Sequence, residues 1–142
     1  MGFAIVYITA YTWTGTLYWD FLIPAIPSTI LIGNIMMTNN LRDSAMISHG
    51  RRTLVILLGK DEGIRLLRTL FIVCVLWLFL WVFLGHLPSA SLLGIIALFP
   101  AFKSAAILQR YADVVKMNEA MKFTSISVTL YHLLVSVGLW IG

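Results

Sequence analysis

Residues 69–102 read TLFIVCVLWLFLWVFLGHLPSASLLGIIALFPAF and contain no Asp, Glu, Lys or Arg. A membrane-spanning helix needs about 20 predominantly apolar residues, so this run is too long for one crossing. It is interrupted at GHLPS, residues 85–89, where glycine and proline favour a turn. We therefore predict a helical hairpin whose two arms both cross a bilayer.

The composition of the whole chain agrees with a membrane protein. The 142 residues are 60% hydrophobic and only 11% charged, with a mean hydropathy of +0.92. Soluble domains are about a quarter charged. Because backbone groups must be paired inside lipid, we predict an all-α, multi-pass transmembrane bundle. The basic pI near 9.5 is then a sign of topology and not of nucleic-acid binding.

Five apolar segments can be separated along the chain. Full-length spans are predicted at residues 19–38 and 123–141, and the hairpin arms at a start within 61–68 and at 89–111. The N-terminal run, residues 3–13, is too short for a complete crossing. The sequence therefore predicts four full spans and one partial N-terminal span.

The basic residues occupy two regions of the chain. With alternating crossings, residues 39–68 and 103–122 lie on one side of the bilayer, and Asp20 and His86 on the other. The positive-inside rule makes the basic side cytoplasmic, in the cell membrane. The ten basic residues are Arg42, Arg51, Arg52, Lys60, Arg65, Arg68, Lys103, Arg110, Lys116 and Lys122.

Residues 38–60, TNNLRDSAMISHGRRTLVILLGK, are unusually polar for this chain. One interpretation is a solvated loop whose arginines set topology. The other is a binding site: Asn39 and Asp43 are four residues apart and share a helical face if the preceding span continues. Arginine forks suit phosphate oxygens, and a carboxylate with an amide suits Mg²⁺. Asn34, an amide in an apolar helix, is predicted to face a cavity or a neighbouring helix.

The combination NNLRD followed by GRRTLVILLGK resembles the second polar motif of the UbiA superfamily of intramembrane prenyltransferases. The likeness is greatest to the 1,4-dihydroxy-2-naphthoate polyprenyltransferases of menaquinone synthesis, the MenA-like branch. The flanking segments FLIPAIPSTILIGNIMMTNN and LGKDEGIRLLR also resemble that branch. The resemblance covers residues 1–142 and corresponds to the C-terminal half of the family's length.

The resemblance implies prenyl transfer from a polyprenyl diphosphate, held through Mg²⁺, to an aromatic acceptor. The partners it implies are these two substrates and the lipid bilayer, and no nucleic acid. No catalytic residue is assigned, and Tyr111 or Tyr131 could either stabilise an allylic cation or only pack. By matching positions, the expected metal ligands are Asp43 and Asn39, and the expected diphosphate-binding residues are Arg42, Arg51, Arg52 and Thr53.

The chain departs from the family's pattern in two places. The family's earlier acid-rich motif has no counterpart here, and Ile47 stands where the family usually has a second Asp. We therefore expect this fragment alone to be inactive in prenyl transfer. The alternatives are a non-catalytic membrane remnant, or a small helical subunit of a split enzyme whose N-terminal half is a separate chain.

Three further side chains receive structural predictions. Cys74, the single cysteine, lies in an apolar run and is predicted to be a small buried hydrophobic residue. His132, in the last span, is predicted to form a hydrogen bond between helices. His86 is predicted to lie at the end of the bundle away from the polar stretch.

Overall fold

The computed structural model describes residues 2–16, 18–43, 53–111 and 113–142, and within them every regular element is helical. The predicted all-α fold is therefore confirmed. In chain order the α-helices are α1 (Gly2–Thr14), α2 (Leu22–Asp43), α3 (Leu54–Leu58), α4 (Lys60–Phe83), α5 (Leu98–Arg110) and α6 (Val114–Ile141). Two 3₁₀ segments, Trp19–Phe21 and Ser89–Ala97, precede α2 and α5.

Four of the helical segments are long and apolar enough to cross a membrane. They are Trp19–Asp43, Lys60–Phe83, Ser89–Arg110 and Val114–Ile141, which confirms the four predicted spans. Helix α1 has 13 residues, so at 1.5 Å per residue it covers about 20 Å of a hydrocarbon core about 30 Å thick. The predicted partial N-terminal span is confirmed as well.

The hairpin forms at the predicted break. Helix α4 ends at Phe83, and Gly85 takes a φ of 76°, the left-handed region that glycine enters without steric cost. Pro88 then precedes the returning arm. At the other end of α4, Asp61 and Glu62 lie in the first turn, where negative charge suits the helix dipole.

Two spans differ from their predicted form. The returning arm begins as the 3₁₀ segment Ser89–Ala97 and becomes α-helical only at Leu98. Pro100 in the following turn has no N–H, which removes one i→i−4 hydrogen bond near this change. The last helix starts at Val114 and not near 123, because the polar residues before the apolar run continue the helix.

Helix α6 packs against α2, α5 and the second 3₁₀ segment. Among the fully buried side chains are leucines from three helices and Met117 of α6. Cys74 is 1% exposed, so its predicted role as a small buried residue is confirmed. The leucines are Leu31, Leu41, Leu67, Leu78 and Leu108.

Charged side chains gather at one end of this bundle. The Lys60 ammonium donates to the Tyr111 carbonyl at 3.3 Å, and Arg68 Nη2 donates to Gln109 Oε1 at 2.6 Å. These contacts join the start of α4 to the end of α5. The regions predicted to share one side of the bilayer therefore adjoin in space.

Candidate diphosphate-binding site

The predicted site begins at the C-terminal end of α2. The helix continues beyond its apolar part through Asn39 and Arg42 to Asp43, so Asn39 and Asp43 do share a helical face. All three side chains are half-buried. A cation in the last turn suits the helix dipole, whereas the Asp43 carboxylate does not. The positive charge of Arg42 therefore offsets the unfavourable charge of Asp43 at this end of the helix.

Arg42 connects the end of α2 to α6. Its Nε lies 2.7 Å from Asp43 Oδ1, and both side chains keep about a quarter of their surface exposed, 24% and 28%. Its Nη1 donates to Asn118 Oδ1 at 3.2 Å and to Met121 Sδ at 3.0 Å. The guanidinium is thereby held over α6, with its charge only partly neutralised by one carboxylate.

A wide groove of about 680 Å³ opens beside Arg42. One side is α2, and the other is a single face of α6, since Asn118, Lys122 and Ser125 follow at helical spacing. Apolar side chains line the rest, so the groove combines two cations with an apolar floor. Its lining residues are Arg42, Asn118, Met121, Lys122, Ser125 and Ile126.

Asn118 and Lys122 were not predicted as site residues. The available signal was their four-residue spacing within the second basic region, which places both on one helical face. That spacing alone does not reveal which neighbour the face meets. The contact with Arg42 depends on how α6 is rotated against α2, which only the packed bundle determines.

Thr53 has a structural role at the start of α3. Its Oγ1 accepts a hydrogen bond from the Ile56 amide at 3.4 Å, which makes it the N-cap of this five-residue helix. The other predicted diphosphate-binding residues of this stretch, Arg51 and Arg52, lie outside the described residues, as does Ile47.

The side chains at the end of α2 can supply only part of the ligands that Mg²⁺ needs. Asp43 supplies one carboxylate, of which Oδ1 is already paired with Arg42, and Asn39 supplies an amide oxygen. No group of three or more His, Cys, Asp and Glu side chains suited to a metal occurs in the described part of the chain. These residues suit an ion that keeps waters and takes its other oxygens from a diphosphate.

A buried chain of hydroxyl groups fixes the helices beneath the site. Thr38 Oγ1 donates to the Asn34 carbonyl at 2.9 Å and lies 3.1 Å from Thr124 Oγ1 of α6. Thr124 Oγ1 in turn lies 2.7 Å from Ser104 Oγ of α5, which donates to the Ala120 carbonyl. Thr38 is one turn before Arg42, so this register holds the Arg42–Asn118 contact in place.

Asn34 extends this polar layer toward the middle of the bundle. It is completely buried, in agreement with its predicted position facing other helices. Neither its Oδ1 nor its Nδ2 finds a hydrogen-bond partner among the described atoms. Burying an amide without a hydrogen-bond partner costs about 1–3 kcal/mol, because the group loses its contacts with water.

The sequence of the chain is similar to that of a known prenyltransferase. The chain is 31% identical, over its whole length, to a 1,4-dihydroxy-2-naphthoate octaprenyltransferase of Bacillus subtilis (strain 168). The predicted resemblance is confirmed. The chain spans about half the length of this naphthoate prenyltransferase, 46%. No protein-family model and no solved structure matches the chain significantly.

Proposed function

We propose that this chain takes part in prenyl transfer in menaquinone synthesis, as the part of a UbiA-type enzyme that binds the diphosphate end of a polyprenyl diphosphate. The observation that carries this proposal is the convergence of Arg42 with Asn118 and Lys122 around one groove. The similarity to a naphthoate prenyltransferase supports it and suggests 1,4-dihydroxy-2-naphthoate as the aromatic acceptor.

The charges of the groove suit the proposed ligand. Arginine binds phosphate oxygens through paired N–H groups, and a lysine provides a second positive charge. Arg42 and Lys122 reach the groove from different helices, so both can contact one diphosphate. The apolar floor formed by Met121 and Ile126 suits the first isoprene units of the chain attached to it.

The resemblance to the family implies roles for further residues of the polar stretch. Asp43 and Asn39 would hold Mg²⁺, and Arg51, Arg52 and Thr53 would complete the cradle of the diphosphate. Magnesium, when bound, would neutralise charge on the departing diphosphate. Before that step, Arg42 would orient the diphosphate and release part of its pairing with Asp43.

We place this site on the cytoplasmic face of the cell membrane. Two basic regions meet at this end of the bundle, through Arg68–Gln109 and Arg42–Asn118. The opposite end carries Asp20 and His86, and no lysine or arginine of the described part of the chain lines the cavity there. An accumulation of basic side chains marks the cytoplasmic side of multi-pass proteins.

We further propose that the isolated chain binds a prenyl diphosphate but does not transfer it. Asp43 is partly neutralised by Arg42, and the described residues offer no second acidic cluster. Expulsion of a diphosphate requires its growing charge to be neutralised from several directions. Turnover would then need an acid-rich motif that residues 1–142 do not contain.

The test measures binding and turnover separately on the purified chain in detergent with Mg²⁺. Binding of geranyl diphosphate should weaken about tenfold or more in Arg42→Ala and in Lys122→Ala. Arg65→Ala is the matched control, because Arg65 is exposed and pairs only with Glu62 among the described residues, so it should change affinity less than twofold.

Two outcomes would count against the proposal. Equal losses of affinity for geranyl diphosphate in Arg42→Ala and Arg65→Ala would show that the ligand is attracted nonspecifically by a basic surface. Prenylated naphthoate formed by the chain alone, and lost in Asp43→Ala, would disprove the expected lack of turnover while leaving the site itself intact.

A further inference from the structure

A polar cleft lies between the start of α4 and the end of α5. Its volume is about 300 Å³, and it shares no lining residue with the groove beside Arg42. Ligand pockets begin at about this volume, which suits a phosphate group with a small substituent. The residues that line the cleft are Asp61, Ile64, Arg65, Arg68 and Gln109.

Two arginines of α4 provide the positive charge of this cleft. Arg68 Nη2 donates to Gln109 Oε1 at 2.6 Å, so its guanidinium is held against α5. Arg65 Nη1 contacts the two carboxylate oxygens of Glu62 at 2.8 and 3.0 Å. Each set of contacts uses one nitrogen of a guanidinium that has five N–H donors. Among the described residues, both arginines therefore retain donors, which suit phosphate oxygens.

An exposed apolar face of α4 continues from these arginines. Ile72 lies two turns after Arg65, and both side chains are exposed. Leu76, Phe79 and Phe83 follow at intervals of three or four residues, and they are exposed as well. From Arg65 to Phe83 the helix rises about 27 Å, close to the hydrocarbon thickness of about 30 Å. Arg65 therefore lies at a depth where lipid phosphates occur, directly beside a face that contacts acyl chains.

The charge of the cleft suits an anion with a single negative charge. Two arginines and one aspartate line it, which gives a net charge of +1. A phosphodiester carries one negative charge and matches this balance. A diphosphate would bring more negative charge close to Asp61 and Glu62, which opposes its binding.

Asp61 adds a requirement for the group attached to the phosphate. It lies one turn before Arg65, about 6 Å along the helix axis and on the side away from the apolar face. A carboxylate accepts hydrogen bonds, so it can bind a hydroxyl group that projects outward from the phosphate. The cleft therefore fits a lipid whose headgroup is both singly negative and hydroxylated.

We propose that this cleft binds one phosphatidylglycerol molecule. The phosphate lies between Arg65 and Arg68, the headgroup glycerol reaches Asp61, and an acyl chain follows Ile72 and Leu76. Basic pockets between membrane helices are suited to anionic lipid headgroups. The site uses no residue of the diphosphate groove, so it is independent of prenyl transfer.

The experiment uses the full purified chain in detergent and native mass spectrometry with defined lipids, which gives the number bound and their Kd. Phosphatidylglycerol should bind about tenfold more tightly than zwitterionic phosphatidylcholine, and Arg65→Ala and Arg68→Ala should each remove most of that difference. Lys116→Ala is the matched control and should stay within twofold. Lys116 pairs with Glu119 three residues later at 3.0 Å, on α6 and outside the cleft.

Phosphatidylmethanol tests the role of the headgroup hydroxyls, because it has the charge of phosphatidylglycerol and no headgroup hydroxyl. It should bind the unchanged chain about threefold or more weakly than phosphatidylglycerol does. Asp61→Ala should bring the affinities of the two lipids to within twofold of each other.

Four results would overturn the proposal. They are equal affinities of phosphatidylglycerol and phosphatidylcholine, equal affinities of phosphatidylglycerol and phosphatidylmethanol, equal losses in Arg68→Ala and Lys116→Ala, and binding of glycerophosphoglycerol, which has no acyl chains, as tightly as the lipid. Arg65→Ala serves alone if Arg68→Ala fails to fold. Arg42→Ala should leave lipid affinity unchanged, so failure here and failure of the diphosphate site can be told apart.

Discussion

Thr124 is the residue through which three helices are joined inside the bundle. Its hydroxyl lies 3.1 Å from Thr38 of α2 and 2.7 Å from Ser104 of α5, and the side chain is fully buried. Hydrogen bonds between membrane helices contribute modestly, on average about 0.6 kcal/mol. Here two such contacts meet at one oxygen, directly beneath the Arg42 groove.

We predict that Thr124→Val destabilises the chain by about 1 kcal/mol, because valine keeps the shape and removes both contacts. Thr129→Val, at an exposed position of the same helix, is the matched control and should change stability by less than about 0.5 kcal/mol. The measurement is reversible unfolding in mixed micelles. Equal effects of the two substitutions would show that the hydroxyl contacts contribute nothing.

Helix α2 is stabilised by a donor from another helix. Pro27 lies inside α2 and has no N–H to give to the carbonyl four residues earlier, at Ile23. The Trp77 indole of α4 fills that position at 2.9 Å. A proline that would weaken an isolated helix thus becomes an attachment point between two spans.

This compensation predicts a measurable coupling between Pro27 and Trp77. Trp77→Phe should cost about 1–3 kcal/mol in the native chain, because it leaves the buried carbonyl unpaired. In a Pro27→Ala background the backbone N–H is restored, so the same substitution should cost less. A double-mutant cycle of unfolding free energies tests this, and strict additivity would rule the compensation out.

Helix α6 approaches the 3₁₀ segment at Gly138. A Cβ built on Gly138 would lie 2.5 Å from both the amide nitrogen and the Cα of Ser91, so the two backbones touch. Gly33 of α2 is the opposite case, because no described atom outside the adjacent helix backbone lies within 4 Å of the added carbon.

We predict that Gly138→Ala destabilises the chain by about 1–3 kcal/mol, since one backbone must move. Gly33→Ala should be neutral or stabilising by up to about 1 kcal/mol, because it removes only the flexibility of a helical glycine. Thermal unfolding of both variants in the same detergent gives the comparison. A Gly138→Ala variant as stable as Gly33→Ala would contradict this close approach of the backbones.

The whole molecule has one basic and one weakly charged end. Lys122 lines the groove beside Arg42, and Lys116 lies over the Tyr111 ring near the start of the same helix, whereas Asp20 and His86 line the opposite cavity. Because the four candidate spans alternate in direction, we expect the two ends to lie on opposite sides of the bilayer.

We predict the sidedness that a thiol reagent will find. In a Cys74→Ala background, a His86→Cys variant should react with a membrane-impermeant maleimide in intact cells. Lys116→Cys should react only after the membrane is permeabilised. Labelling of both positions in intact cells, or of neither, would contradict the proposed topology.

The features that the sequence determined are those set by neighbours along the chain. The hydropathy of residues 69–102 was sufficient to predict the hairpin. The positions of the lysines and arginines were sufficient to predict that the two basic regions lie at the same end of the bundle. The spacing of Asn39 and Asp43 gave one helical face, because helical period is a local property. The resemblance of NNLRD and GRRTL to the family's motif could likewise be recognised without the tertiary structure.

Only the tertiary structure decided which faces meet. Asn118 contacts Arg42, Ser28 contacts His132, and Trp77 contacts the carbonyl that Pro27 leaves free. Each contact depends on the rotation and register of one helix against another. Those quantities follow from the fit of all side chains in the bundle at once, whereas a hydropathy pattern fixes only that each helix exists.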